Sequence, residues 1–385
     1  MKGAATPLEK SAFAEGGAVR QPRWRDRLLG HPGFQRWVAR TPGLRHIARR
    51  HAARLFSLCN GFMYSQVLYF SVRSGLLAAL RAGPLTVPEL QQLCRLDEAR
   101  ALLLLQATDA LDLTEQRSAG TRGLGILGAA LAGNAAVLRM IEHQPLFYAD
   151  LADPLALLQD RQCAGALAGF WAYAGQSAPE QAAPAAIDGY TSLMSATQGL
   201  VVEDLLAAYP FEQHRCLLDV GGGNGQFLCA VAERAWQLRL MLFDLPAVAE
   251  RGRLALKAAG LAGRSSVHGG NFSTTPLPSG ADLISLVRVV HDHDDAVVLA
   301  LLRAVRQALP RDGRVLIAEP MREIPGSLPE AELYMSFYLL ALGQGRLRSR
   351  AELSALLLQA GFAAPRLHAT ARPWQCAVLS AAVSA

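Results

Sequence analysis

The stretch richest in possible chemistry runs from Cys216 to Ala235 and reads CLLDVGGGNGQFLCAVAERA. An acid precedes three alternate glycines: Asp219, Gly221, Gly223 and Gly225. A loop without side chains can pass close beneath a ligand, and the amino end of the following helix is a partial positive pole. A carboxylate such as that of S-adenosylmethionine suits that pole, while Asp219 supplies the opposite charge for an ammonium group. The nicotinamide fingerprint Gly-x-Gly-x-x-Gly fails here. Counted from Gly221 its sixth position is Gln226, and counted from Gly223 it is Leu228.

Further chemistry recurs where later strands should end. LRLMLFDLP closes on Asp244 and Leu245, 25 residues after Asp219, where one carboxylate can accept from both ribose hydroxyls. In GGNF, Asn271 is placed to read an adenine edge and Phe272 to cover its face. ADLISLVRVV, carrying Arg288, is expected to end at His291. Asp292 beside it, or Glu319 at the end of RVLIAEP, is placed to hold the tautomer of His291. His293 lies in an acid-rich turn and is expected to cap the next helix.

The elements that must position these residues follow from their spacing. Short buried strands alternate with helices from Cys216 to Gly361, which predicts a parallel, doubly wound Rossmann-like sheet with ligands at the carboxyl ends of its strands. Ahead of it, residues 51–205 read as helical. LTVPELQQLCRLDEARALLLLQATDALDLTEQ suggests helix, turn, helix and a small wing, with Pro88 in a first turn, Asp97 as a cap and Leu111 to Thr114 beginning a short hairpin. The presumed second helix offers only Arg100 and Gln106 to base edges, so a buried or dimer-forming role is expected rather than DNA recognition. His143, Phe147, Phe170 and Tyr190 are candidate walls of an apolar substrate pocket. The expected domains are 1–50, 51–205 and 206–385.

Composition bounds the rest. The 385 residues are 51% hydrophobic and 18% charged, which excludes a disordered chain or a small disulfide scaffold. Six scattered cysteines show no paired spacing, so no metal site and a reducing, cytoplasmic compartment are expected. The most apolar candidate span, Gly123 to Ile141, is broken by Asn134 and Arg139. The formal charge of +6 is concentrated at one end: Met1 to Arg54 holds 12 Lys and Arg against 3 acids. There Trp24, Leu28, Leu29, Phe34 and Trp37 interleave with arginines, a pattern open to three readings. It suits a solvated leader, contact with the inner or photosynthetic membrane, or nucleic acid, and nucleic acid is not expected.

LLDVGGGNG, FDLP, GGNF, RVVHDHDD and VLIAEPM stand in an order that resembles the S-adenosylmethionine-dependent small-molecule O-methyltransferases, the group of the plant caffeate-type and acetylserotonin enzymes. YADLADPLALL, RVVHDHDD and FYLLALGQGRLRSRAEL look closer to its bacterial carotenoid branch, the hydroxyneurosporene (demethylspheroidene) O-methyltransferases. The resemblance covers roughly residues 55–380. It implies a winged-helix dimerisation domain, a homodimer, and S-adenosylmethionine held by the acid–glycine loop, Asp244, Leu245, Asn271, Phe272, Arg288 and Met194. It also implies His291 as catalytic base flanked by Glu319, and a hydrophobic small-molecule acceptor, the tertiary 1-hydroxyl of an acyclic carotenoid. The chain departs from the plant enzymes at their second flanking glutamate, where GQGRLR places Arg346 at or next to that position. A phenolic or polyketide acceptor, or a cofactor-binding winged-helix regulator, are the alternatives.

Overall fold

The computed structural model describes residues 23–159, 165–170, 194, 197–199 and 201–384. The chain divides into two compact units, residues 1–67 and 68–385. In the first, α1 (Trp24–Gly30) and α2 (Pro32–Arg40) are separated by His31, whose Nδ1 accepts from the amides of Gly33 and Phe34 and so caps α2. Neither helix buries a residue, and Trp24, Leu29 and Trp37 stand exposed among arginines. The long helix α3 (Arg45–Arg73) begins in this unit and ends in the next.

The second unit opens with α4 (Leu76–Ala82), which buries Leu76, Leu77 and Leu80 and stops at Gly83 ahead of Pro84. Next come β1 (Leu85–Thr86), α5 (Val87–Cys94), α6 (Glu98–Ala110), β2 (Thr114–Gln116) and β3 (Thr121–Leu124). The strands form an antiparallel wing in the order β1-β3-β2. Asp97 caps α6 by accepting from the Arg100 amide at 2.8 Å. Pairing starts at Thr114, the last of the positions expected to open the hairpin, because Asp112 takes a positive φ of 53° and the chain turns through Leu111–Leu113 first. Arg100 bonds its own cap, Asp97, and the exposed face of α6 presents Leu102 and Leu103. That is not the surface of a helix that reads bases.

Residues 123–141 are not one apolar helix. Between β3 and α8 (Ala135–Asp150) lies the separate α7 (Ile126–Ala132), and Asn134 caps α8 through the Val137 amide. No helix among the described residues is long and apolar enough to cross a membrane. The short α9 (Pro154–Gln159) and α10 (Ala166–Phe170) follow.

A seven-stranded sheet then forms from β4 (Cys216–Val220), β5 (Arg239–Asp244), β6 (Ser265–Gly269), β7 (Leu283–Val287), β8 (Arg314–Glu319), β9 (Phe362–His368) and β10 (Ala377–Val383). Its order is β6-β5-β4-β7-β8-β10-β9. The first five strands are parallel, and β10 runs antiparallel to both β8 and β9. Side chains alternate across it. Leu218, Val220, Ile284, Leu286, Val315 and Ile317 pack against α13 (Asp295–Ala308) and α15 (Arg350–Gln359) on one face. Leu217, Leu283, Leu316 and Ala318 pack on the other against α11 (Gln226–Arg234), α12 (Pro246–Ala258) and Val201, Val202 and Leu205. Two covered faces make the doubly wound architecture that the alternation of strands and helices predicts. Helix α14 (Pro329–Leu342) packs with α8, α9 and α10.

Two expectations need correction. The strand expected to end at His291 ends at Val287. Arg288 takes a left-handed φ of 58°, and His291 sits on a 3-10 turn, Val290–Asp292. His293 follows that turn and does not cap α13, whose N-cap is Asp294.

Candidate active site

Asp219, the penultimate residue of β4, is 1% exposed, with its Oδ1 accepting from the Ser285 hydroxyl of β7 at 2.6 Å. Burial pushes its carboxyl up to about 7, the Ser285 hydrogen bond opposes this, and the nearby Asp244 charge adds to it. The chain then turns at Gly221, with φ of 71°, and at Gly223, with φ of 58°. A Cβ at Gly221 would come within 2.7 Å of Val289 Cγ2, so both conformation and space require glycine there. The Gly223 amide donates to Asp244 Oδ2 at 2.8 Å, and the Leu245 amide to Asp244 Oδ1 at 2.7 Å. Asp244 thus fastens the glycine loop to the end of β5. Its own carboxyl is pushed up to about 6 by burial, against the pull of those two amides.

The third expected contributor has a local job. Asn271 Oδ1 accepts from the Ser273 amide, which fixes the turn after β6, and Phe272 lies half-buried with its ring edge-on to His293, centroids 5.3 Å apart. Arg288 and Met194 do come together. The Arg288 guanidinium donates to Thr197 Oγ1 at 2.8 Å and to Met194 Sδ at 3.0 Å.

His291 is 4% exposed and sits between two acids. Its Nδ1 lies 3.2 Å from Glu319 Oε2, the same oxygen that accepts from the His291 amide at 3.1 Å. Asp292 Oδ1 lies 3.2 Å from Nε2, and that buried oxygen accepts no hydrogen bond from any described residue. Burial disfavours charge on the imidazole, but the carboxylates of Asp292 and Glu319 outweigh it, and His291 titrates above the ordinary histidine range. Arg346, in place of a second flanking glutamate, turns its guanidinium to Asp295 and Glu352.

Of the expected pocket residues, three meet in one cluster. His143 Nε2 is 3.0 Å from the Tyr338 hydroxyl and its ring is 4.6 Å from Phe170, while Phe147 packs edge-on to Tyr334 and Tyr338. Tyr190 lies outside the described residues. The sequence reading missed Tyr334 and Tyr338, although their i, i+4 spacing on an apolar helix was available as a signal. It also missed Ser285, the lone hydroxyl in LISLV. No metal-binding group of His, Cys, Asp or Glu occurs among the described residues.

A doubly wound sheet with an acid–glycine loop after β4 and an acid ending β5 defines the class of nucleotide-type cofactor binders that use no nicotinamide fingerprint. Within that class the chain belongs to the O-methyltransferase family, whose domain profile matches residues 148–363. It is an S-adenosylmethionine-dependent enzyme. The chain is 43% identical over 359 residues to demethylspheroidene O-methyltransferase of Cereibacter sphaeroides, covering 92% of this chain and 93% of that one. It is 38% identical over 348 residues to the protein of the same name from Rhodobacter capsulatus, covering 89% and 85%. Among solved structures, CalO1, a methyltransferase of calicheamicin biosynthesis in its SAH-bound form, superposes with a TM-score of 0.71 at 26% identity, covering 87% and 98%. Mitomycin 7-O-methyltransferase MmcR shares the fold, with a TM-score of 0.72 at 24% identity, covering 88% and 100%.

Proposed function

We propose that this enzyme methylates the tertiary 1-hydroxyl of an acyclic carotenoid, with His291 as general base. The observation that carries the acceptor assignment is the 43% identity to a demethylspheroidene O-methyltransferase across nearly the whole of both chains. S-adenosylmethionine supplies the electrophilic methyl group. Its residues are Asp219 and the glycine loop for the amino-acid end, Asp244 for the ribose, and Leu245, Asn271, Phe272, Arg288 and Met194 around them. The fit is electrostatic as well as steric: Asp219 and Asp244 are buried acids with raised pKa values, an arrangement that a cationic ligand relieves.

The acceptor hydroxyl must lose its proton as the new O–C bond forms. A tertiary alcohol is a far weaker acid than a phenol, so proton removal during transfer matters more here. Glu319 holds the proton on Nδ1, which leaves Nε2 free to accept from the hydroxyl. Asp292 Oδ1 beside Nε2 supplies a second acceptor next to the ring. The cluster of His143, Phe147, Phe170, Tyr334 and Tyr338 offers an apolar wall for a polyene chain.

The test uses purified protein, methyl-labelled S-adenosylmethionine, detergent-dispersed 1-hydroxy carotenoids and a phenolic panel. Label is expected on the carotenoid oxygen. Label on phenols alone would keep the mechanism and discard the acceptor.

Cofactor affinity should depend on pH with a definite sign. Below its pKa of about 7, Asp219 is protonated and must shed a proton to meet an ammonium group. Affinity is therefore expected to rise with pH and level off above 7, with binding roughly tenfold weaker at pH 6 than at pH 8. Calorimetric titration across that range checks it; a flat profile would remove Asp219 from the ammonium site.

Two wider features belong to the same reading. The apolar residues left exposed on α6, among them Leu102 and Leu103, are where a second copy of the chain packs in the proposed homodimer. The arginines and tryptophans of α1 and α2 make the proposed contact with an anionic membrane that holds the carotenoid. Flotation with phosphatidylglycerol vesicles is expected for the full chain, to weaken in salt, and to fail for vesicles of phosphatidylcholine.

A further inference from the structure

The loop Gly343–Arg348, between α14 and α15, holds three carbonyls of the turn that carries His291. Arg348 Nη1 donates to the Val290 carbonyl at 2.8 Å and Nη2 to the His293 carbonyl at 2.7 Å. The Arg346 amide donates to the His291 carbonyl at 3.0 Å. From the other side Glu319 accepts from the His291 amide, so the peptide groups before and after the His291 Cα are both fastened. Only the side-chain torsions of His291 remain to be set, and Glu319 sets those through Nδ1.

Arg348 is 1% exposed, and burying a guanidinium is costly unless its donors are paired. Its Nε donates to Asp295 Oδ1 at 2.8 Å, which answers the charge, and Asp295 is in turn held by Arg346. The other two nitrogens reach backbone of the catalytic turn, Nη2 while also lying 2.7 Å from Asp295 Oδ1. Gly345 completes the fit with φ of 72°: a Cβ there would stand 2.2 Å from the His291 carbonyl oxygen.

We propose that Arg348 is a positioning residue: it clamps the Val290–His293 turn so that His291 Nε2 meets the acceptor hydroxyl. This rests on the reading of His291 as the base. A base displaced by about 1 Å can lose on the order of 10²-fold in rate, while a cofactor bound at β4 and β5 is unaffected. A residue acting only through His291 also has nothing left to act on once the imidazole is gone.

Arg348→Lys keeps the charge and cannot reach both carbonyls and Asp295 at once. In single-turnover methylation it is expected to slow transfer about 10–100-fold, with the Kd for S-adenosylmethionine within about twofold of wild type. In the His291→Ala background the same substitution should slow transfer less than about twofold. Gly345→Ala, which presses on the His291 carbonyl without removing a charge, should reproduce both results and serves if Arg348→Lys does not fold. Equal slowing in both backgrounds would reduce Arg348 to a structural residue and overturn the proposal, as would wild-type transfer by a folded Arg348→Lys. Full activity of His291→Ala would instead fell the base reading itself, and the two failures are told apart by that single variant.

Discussion

His291→Ala is expected to lower the rate of methyl transfer by about 10²–10⁴-fold while cofactor binding stays within about twofold of wild type. The split follows from place. His291 stands on the turn after β7 with Glu319 and Asp292 around its ring, whereas the two acids and the glycine loop proposed to grip the cofactor lie at the ends of β4 and β5. A base must be neutral to accept a proton. Because Asp292 and Glu319 raise its pKa against the effect of burial, the acid limb of the wild-type rate profile should lie above the ordinary histidine value of about 6.5. The variant should lose that limb together with the rate. Single-turnover rates measured from about pH 5.5 to about pH 9 check both, and a limb that persists in His291→Ala would assign the titration to another group.

Asp244→Ala is expected to weaken S-adenosylmethionine by on the order of 10²-fold and to leave the KM for the acceptor nearly unchanged. Charged hydrogen bonds each contribute about 1.5–3 kcal/mol, and a ribose would take two from this carboxylate. The substitution also strands the amides of Gly223 and Leu245, so part of the loss comes from a slackened glycine loop. Asp244→Asn separates the two effects, since one amide oxygen can still accept from Gly223. It should fall between Ala and wild type in a fluorescence titration. An unchanged Kd for Asp244→Ala would refute the ribose assignment.

Much of this arrangement was legible in the sequence because it is local. Asp219, the glycine loop and the helix after it are contiguous, and Asp244 is marked by the end of an apolar run. The period-two alternation of β4, β7 and β8 was masked by burial on both faces, yet their length and flanking turns still identified them. What failed was non-local. RVV continues the pattern of β7, and nothing in it signals that Arg288 turns left-handed and starts a 3-10 turn. The last two strands went unread because β9 contains Pro365 and β10 is rich in alanine, a residue of low strand propensity; pairing with β8 overrides that preference. Arg348 gave no signal, since a buried arginine looks like a surface one until its carbonyl partners are known.

The position of β10 has a consequence for how the enzyme is made. It is the last strand in chain order, yet it lies between β8 and β9, and Ala377 pairs directly with Glu319. On the ribosome, β4 to β7 and the glycine loop can assemble while β8 still has a bare edge. Glu319 gains its cross-strand neighbour only when residue 377 emerges, 58 positions later. A nascent chain would thus acquire the means to hold its cofactor before it acquires the means to move a proton. Until that closing step β8 is an open template for other strands, so the same late insertion that completes catalysis also ends the interval of greatest risk of aggregation.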